Sequence, residues 1–249
     1  MLVDFILPPD LEPAIAIMLL GASGLASFIT IAFGIGGGVL LLAVMASLVP
    51  PTMLIPVHGL VQFGSNVSRA LLMVRYISWR DTGVFTVGTI VGVLLGGAMA
   101  FNLPPAAVQV GVGLFVIWSV FMKPPRWLQR FPLVTGAFSS FLTMFFGATG
   151  PFVATYTKSL KLDRHRHVAT HAALMSVQHF LKTVMFGILG FAFGPWLGFC
   201  IAMILAGALG MLLGRLVLDW ISDQRFRIAL DTILVLLSLR LIWQGIFQT

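Results

Sequence analysis

The chain of 249 residues is 59% hydrophobic and 9% charged. Soluble domains carry about 25% charged residues, so this composition excludes a water-soluble fold and predicts a polytopic helical bundle in a membrane. The net charge of +7 does not indicate nucleic acid binding, because the basic residues cluster in short segments between apolar runs.

Apolar runs long enough to cross a membrane recur along the chain and predict an all-α membrane protein with about eight spans. The predicted spans are residues 13–33, 53–74, 82–102, 106–122, 132–146, 168–190, 195–218 and 228–247. Two shorter apolar stretches, residues 39–49 and 152–160, follow glycine-rich segments and are predicted to be re-entrant segments or half-helices. Residues 1–13 contain no Lys or Arg, so we expect the first span to be retained rather than cleaved as a signal peptide.

The basic residues between the spans predict which loops are cytoplasmic. Lys and Arg concentrate in residues 75–80, 123–130, 158–166 and 215–227. Neither residue type occurs in the intervening turns, residues 50–51, 103–105 and 193–195. We therefore expect a multi-pass protein of the cytoplasmic (inner) membrane with its amino terminus outside.

An internal repeat becomes visible when the chain is shifted by 113 residues, which lays residues 27–37 onto residues 140–150. The same register pairs polar residues further along the chain: His58 with His171, Asn66 with His179, and Arg69 with Lys182. Chance similarity between apolar segments does not easily produce this polar register. We infer that the chain contains a duplication.

The charge pattern orients the two copies oppositely across the membrane. Inverted repeats with interrupted helices recur in secondary transporters, because exchanging the conformations of two equivalent halves moves one central site between two faces. We predict two inverted-topology repeats, residues 1–122 and 132–249, joined by a basic cytoplasmic linker at residues 123–131. Together they are predicted to form one transmembrane domain.

The glycine-rich segments at residues 34–38 and 147–151 are predicted to interrupt helices and start new ones. Helix starts expose unpaired N–H groups and a partial positive charge, so two starts meeting near the bilayer centre would bind an anion. The candidate ligands at these starts are Gly36, Gly37, Gly38, Thr149 and Gly150. The alternative is that the glycines only allow close helix packing.

Four side chains inside predicted spans are further candidates for an anion site: Arg69, Lys182, His58 and His171. Charged residues in hydrocarbon are costly and usually face partners or aqueous cavities. Lys182 follows His167 by about 15 residues, roughly 22 Å of helix, and is not expected to reach the inner surface, whereas Arg69 could extend to it. Because imidazole titrates near neutral pH, His58 and His171 could bind an oxyanion or couple transport to protons; a structural role is the alternative.

Apart from Asp231, the acidic residues lie in predicted termini and loops. The predicted spans therefore contain few carboxylates that could couple transport to a cation. No metal-ligand spacing such as HExxH occurs, and no cofactor is predicted. The single cysteine, Cys200, cannot form a disulfide within the chain. This charge balance fits the handling of an anion better than that of a cation.

Several segments of the sequence resemble the sulfite exporter TauE/SafE family. They are the glycine-rich break and proline turn of the first half and, in the second half, residues 147–152 (GATGPF), 162–163 (LD) and 169–172 (ATHA). This family is also called the toluene sulfonate uptake permeases, and the resemblance covers essentially the full chain. It implies export or uptake of sulfur-containing anions such as sulfite, sulfoacetate, other organosulfonates or thiosulfate. The sequence departs from the family at His58 and His171, where a small polar residue is common, and at Arg69, where a small residue is usual.

These features predict a secondary transporter that moves a small sulfur-containing anion by alternating access of two repeats and has no enzymatic activity. A passive anion channel is one alternative. An intramembrane enzyme with His58 or His171 as a base is another, although no nucleophile motif accompanies them. The expected partners are a small anionic substrate and the lipid bilayer, without nucleic acid, and a homodimer is an open option.

Overall fold

The computed structural model describes residues 7–8, 11–33, 36–100, 104–217 and 223–247. These residues form ten α-helices and contain no β-strand, in agreement with the predicted all-α class. The helices are α1 (Pro13–Phe33), α2 (Gly37–Leu48), α3 (Pro51–Leu72), α4 (Trp79–Ala100), α5 (Pro105–Phe121), α6 (Pro132–Phe146), α7 (Gly150–Ser159), α8 (Arg164–Ile188), α9 (Gly194–Val217) and α10 (Asp223–Phe247). Short 3₁₀ turns at Val74–Tyr76 and Arg126–Arg130 lie in two of the basic loops.

Among the described residues, four helices contain apolar segments long enough to cross a membrane: Pro13–Ile31 in α1, Trp79–Met99 in α4, Gly194–Gly214 in α9 and Ile228–Phe247 in α10. Their outward faces expose large apolar side chains such as Leu95, Leu205 and Leu236. Such a surface is expected to contact lipid rather than water. The protein is therefore a multi-pass membrane protein, while the count of about eight spans stays a prediction.

The two short helices predicted after the glycine-rich segments are present as α2 and α7. They contain 12 and 10 residues, or about 18 Å and 15 Å of helix, against a hydrocarbon layer of about 30 Å. Each begins two residues earlier than predicted, because Gly37 and Gly150 are already helical. Gly36 and Gly147, which precede them, have φ values of 108° and 80°, a region that glycine enters without the steric cost of a Cβ.

The long helices pack in pairs: α1 with α9, α4 with α6, α3 with α8, and α5 with α10. The 113-residue shift found in the sequence relates these pairs to one another. The shift overlays α1 on α6 and α4 on α9, so it relates the α1–α9 pair to the α4–α6 pair. It overlays α3 on α8 and α5 on the start of α10, so each of the other two pairs joins a helix to its own counterpart. The pairing pattern is thus the one expected if two copies of the same unit pack face to face.

Glycines bring the helices of two of these pairs into close contact. A Cβ on Gly92 of α4 would overlap the Ala137 carbonyl of α6, and one on Gly210 of α9 would overlap Gly24 of α1. Such small-residue contacts let helix backbones approach in the absence of a hydrophobic driving force within lipid. Gly92 and Gly210 therefore serve the close packing of these helix pairs.

The two half-helices lie in different surroundings. Leu41 and Leu42 of α2 are fully or almost fully buried in a large, mainly aliphatic cluster. Phe152 of α7 instead stacks on aromatic rings, with its centroid 5.2 Å from Trp118 and 6.3 Å from Phe115. Both environments are densely packed, so each half-helix start is held in a defined position.

Candidate functional site

A small cavity, here called the central cavity, lies where the starts of α2 and α7 meet α3 and α8. Its volume is about 50 Å³. Since one water needs about 10–15 Å³ of such space, it holds on the order of four waters or one small oxyanion. The lining residues are Thr30, Gly36, Gly38, Val39, His58, Gln62, Asn66, Arg69, Ala148, Gly150, Pro151, His171, Met175 and His179.

Two helix faces supply most of the polar lining. The α3 stripe consists of His58, Gln62, Asn66 and Arg69. The α8 stripe consists of His171, Met175 and His179. Successive members are three or four residues apart, a spacing that places them on one face of a helix. Gln62, Asn66 and His179 are not among the predicted site residues, although this spacing from His58 and His171 is the signal that identifies them.

The structure brings most of the predicted site residues together around the central cavity: Gly36, Gly38, His58, Arg69, Gly150 and His171. Gly37, Thr149 and Lys182 do not line it. A Cβ on Gly37 would overlap the Ala26 carbonyl, so Gly37 allows the close approach of α1 and α2, as the alternative interpretation of these glycines predicts. Thr149 is fully buried, and its hydroxyl accepts a hydrogen bond from the Gln178 side-chain amide.

The two half-helix starts offer different sets of amide donors. In α2 the first helical bond runs from the Leu40 N–H to the Gly36 carbonyl over 2.9 Å, so the amides of residues 37–39 precede it. In α7 the second residue is Pro151, which has no N–H, and the next amide is already bonded within the turn. The Gly150 amide is then the donor that α7 can offer. Neither start has a side-chain cap.

Three histidines in the cavity wall have unused ring nitrogens. His58 is fully buried, with its Nε2 3.0 Å from the Gly38 carbonyl. Because a carbonyl only accepts, Nε2 donates, and Nδ1 is the unprotonated nitrogen of the neutral ring. Within the described part of the chain, the buried Nδ1 atoms of His58, His171 and His179 have no hydrogen-bond partner. The rings of His58 and His179 meet edge to face, with centroids 6.0 Å apart.

Arg69 carries a positive charge at the end of the α3 stripe. Its Nη2 donates to Asn66 Oδ1 at 2.9 Å and its Nε to the Ser65 carbonyl at 3.4 Å. Both acceptors are neutral, and no carboxylate among the residues that the structure describes pairs with Arg69. The side chain lines the central cavity and does not simply extend away from it to the surface.

Lys182 lies behind the cavity, at the second glycine break. The side chain is fully buried, and Nζ donates to the Gly147 carbonyl at 3.1 Å. The same carbonyl accepts the Thr143 hydroxyl at 2.9 Å. A Cβ on Gly59 would lie 2.7 Å from Lys182 Cε, so this glycine makes room for the lysine chain. A buried ammonium needs an acceptor, and the carbonyl at the break, rather than the cavity, supplies it here.

Another cavity, the outer cavity, opens on the side predicted to be extracellular. It is lined by Pro51, Thr52, Ile55, Pro56, Pro105, Val108, Met144, Phe145, Phe186, Leu189, Gly190 and Phe191, none of them charged. Gly147 lies next to Ile55 in this region, since a Cβ added to it would be 3.1 Å from Ile55 Cδ1. Along α3, Pro56 lines the outer cavity and His58 lines the central one.

A comparison with protein families gives a match over most of the chain. The family model described as sulfite exporter TauE/SafE matches residues 19–241, which extend from α1 into α10. No curated protein and no solved structure matches the chain. Among the described residues, no group of three or more His, Cys, Asp or Glu side chains could hold a metal ion.

Proposed function

Because the chain belongs to the sulfite exporter TauE/SafE family, we propose that its central cavity binds sulfite or a related sulfur-containing anion and carries it across the cytoplasmic membrane. Membership of a transporter family also argues against an enzyme. Sulfite has four heavy atoms and suits a volume of about 50 Å³. An organosulfonate such as sulfoacetate is larger and would require the cavity to expand.

The observation that carries this proposal is a cation at the cavity wall, Arg69, for which the described residues supply no counter-charge. Arg69 donates to the neutral oxygens of Asn66 and Ser65. A guanidinium within a membrane protein is costly unless a charge or an aqueous cavity faces it. An oxyanion in the central cavity would supply the missing negative charge and would accept charge-assisted hydrogen bonds from the guanidinium. The amides at the α2 start add donors in the same cavity.

Alternating access of two inverted repeats, residues 1–122 and 132–249, is the mechanism we favour. The helix pairs exchange under the 113-residue shift, as two equivalent units would require. In this conformation Arg69 faces the cavity, while its repeat counterpart Lys182 is bonded to Gly147. In the opposite conformation the two cations would exchange places, with Lys182 facing the anion.

Proton coupling through His58 and His171 is part of the same proposal. Both side chains line the cavity and have a buried, unbonded Nδ1. A bound anion favours the charged form of a neighbouring imidazole, so binding of the anion and uptake of a proton would support each other. A pH gradient should then drive accumulation of sulfite beyond its passive distribution, which a channel could not sustain.

The test is uptake of radiolabelled sulfite by the purified protein in liposomes, with and without a pH gradient. We expect Arg69→Gln to lower transport at least about tenfold, because hydrogen bonds to a charged group are worth about 1.5–3 kcal/mol. Arg240→Gln, a change of the same kind on the exposed face of α10, should leave transport within about twofold. Equal activity of the two variants would refute the assignment of the site, and accumulation that does not respond to the pH gradient would refute the proton coupling.

A further inference from the structure

A larger cavity, here called the inner cavity, lies at the end of α3 and the start of α8, on the side predicted to be cytoplasmic. Its volume is about 250 Å³. It is lined by Ile31, Arg69, Leu72, Met73, Arg164, His165, Val168 and Met211. Arg69 belongs to both this lining and that of the central cavity, so its side chain lies between the two.

The ionisable groups that line the inner cavity are all basic: Arg69, Arg164 and His165. No acidic residue lines it within the part of the chain that the structure describes. Asp163 immediately precedes α8. Its carboxylate accepts a hydrogen bond from the Arg166 N–H at 3.0 Å and so caps the helix. The rest of the wall is apolar. A positive cavity with low-dielectric walls raises the local concentration of anions.

We propose that the inner cavity is a second anion site, in which a small oxyanion binds with part of its hydration shell before it passes Arg69 into the central cavity. The proposal rests on the proposed function of the central cavity. A guanidinium has five N–H donors, and Asn66 and Ser65 accept from two of its nitrogens. The remaining donors can bond an anion on either side.

The sizes of the two cavities give this passage a physical role. The inner cavity has a volume of about 250 Å³ and the central cavity about 50 Å³. By the requirement of about 10–15 Å³ for each water, the first holds a hydrated anion and the second holds the anion with little water. An oxyanion that moves from the inner cavity into the central cavity must therefore give up hydrogen bonds to water. The guanidinium of Arg69 replaces them with charge-assisted bonds at the point where they are lost.

The experiment compares the KM for sulfite at the two faces of the membrane, measured in vesicles of known orientation made from zwitterionic lipid. The variant is Arg164→Gln with His165→Gln, both exposed positions outside the central cavity. We expect the KM at the inner face to rise roughly fivefold, the effect of one unit charge close to an anion in water. The KM at the outer face and the maximal rate should not change, and high salt should reduce the difference.

Two further variants complete the test. Arg126 is exposed on the side predicted to be cytoplasmic but does not line the inner cavity. Arg126→Gln therefore removes a surface charge from that side and should behave like the wild type. Arg164→Lys, combined with wild-type His165, restores a cation and should restore the KM at the inner face. These controls separate binding in the inner cavity from a general effect of surface charge.

The outcomes that overturn the proposal are distinct. An unchanged KM at the inner face, or equal changes at both faces, would refute the second anion site while sulfite transport by the wild type still supports the central one. A change that appears only when anionic lipid is added would show that a lipid phosphate occupies the inner cavity. If the wild type neither binds nor transports sulfite, the proposed function fails together with this inference.

Discussion

Replacing Lys182 with methionine distinguishes a structural from a functional role of the buried cation. Lys182 is fully buried, and its ammonium shares the Gly147 carbonyl with the Thr143 hydroxyl, at 3.1 Å and 2.9 Å. Loss of a hydrogen bond to a charged group costs about 1.5–3 kcal/mol. Removing an ammonium from a dry site recovers several kcal/mol of desolvation, and methionine fills a similar volume. The carbonyl also keeps its second donor, so the free energy of unfolding should not fall.

We therefore expect Lys182→Met to unfold in detergent at the wild-type temperature or above it, while sulfite transport in liposomes falls at least about tenfold. Thr143→Val is the matched control, because it removes a neutral donor from the same carbonyl. It should cost about 1 kcal/mol, or roughly 2–4 °C in Tm, and keep most of the transport. A Tm lowered by more than about 6 °C in Lys182→Met, with transport no worse than in the control, would refute this reasoning and leave the lysine a structural residue.

The remaining predictions concern the central cavity. Gly38→Ala would place a Cβ 3.3 Å from the Gln62 amide, so we expect sulfite uptake to fall several-fold; Gly21→Ala, with no atom within 4 Å of the added Cβ, should leave uptake unchanged. Wild-type uptake in Gly38→Ala would contradict the position of the cavity. Asn66→Leu removes the acceptor 2.9 Å from Arg69 Nη2, so we expect the KM for sulfite to rise roughly tenfold, about the value of one hydrogen bond to a charged group. An unchanged KM would mean that Arg69 needs no such support.

The positions of the helices could be predicted because they depend on local properties of the chain. Apolar length identifies the long helices, and glycine-rich segments identify the starts of α2 and α7. The start of α8 was predicted less accurately, because the helix begins at Arg164, four residues before the predicted span. Its first turn is basic and polar, and Asp163 caps it. A criterion based on apolar length does not detect a polar first turn.

The central cavity could be predicted only in part, because side-chain contacts between distant elements are not a local property. Arg69 and Lys182 correspond under the predicted 113-residue repeat, yet Arg69 lines the cavity and Lys182 bonds to Gly147. Sequence symmetry alone makes both residues candidates and does not say which one faces the cavity in a given conformation. The i, i+4 spacing does predict that Gln62 and Asn66 share a helix face with His58.

Pro56 at the outer cavity and His58 at the central cavity are separated by about 3 Å of helix rise. Where water reaches the central cavity past Arg69, the transmembrane voltage would fall mainly across the protein between the two cavities instead of the whole bilayer. A monovalent anion that crosses this region without a coupled proton would gain or lose about 2.3 kcal/mol for every 100 mV. A short movement around Gly147 would then perform most of the electrical work of transport, and an interior-negative cell would drive that step outward.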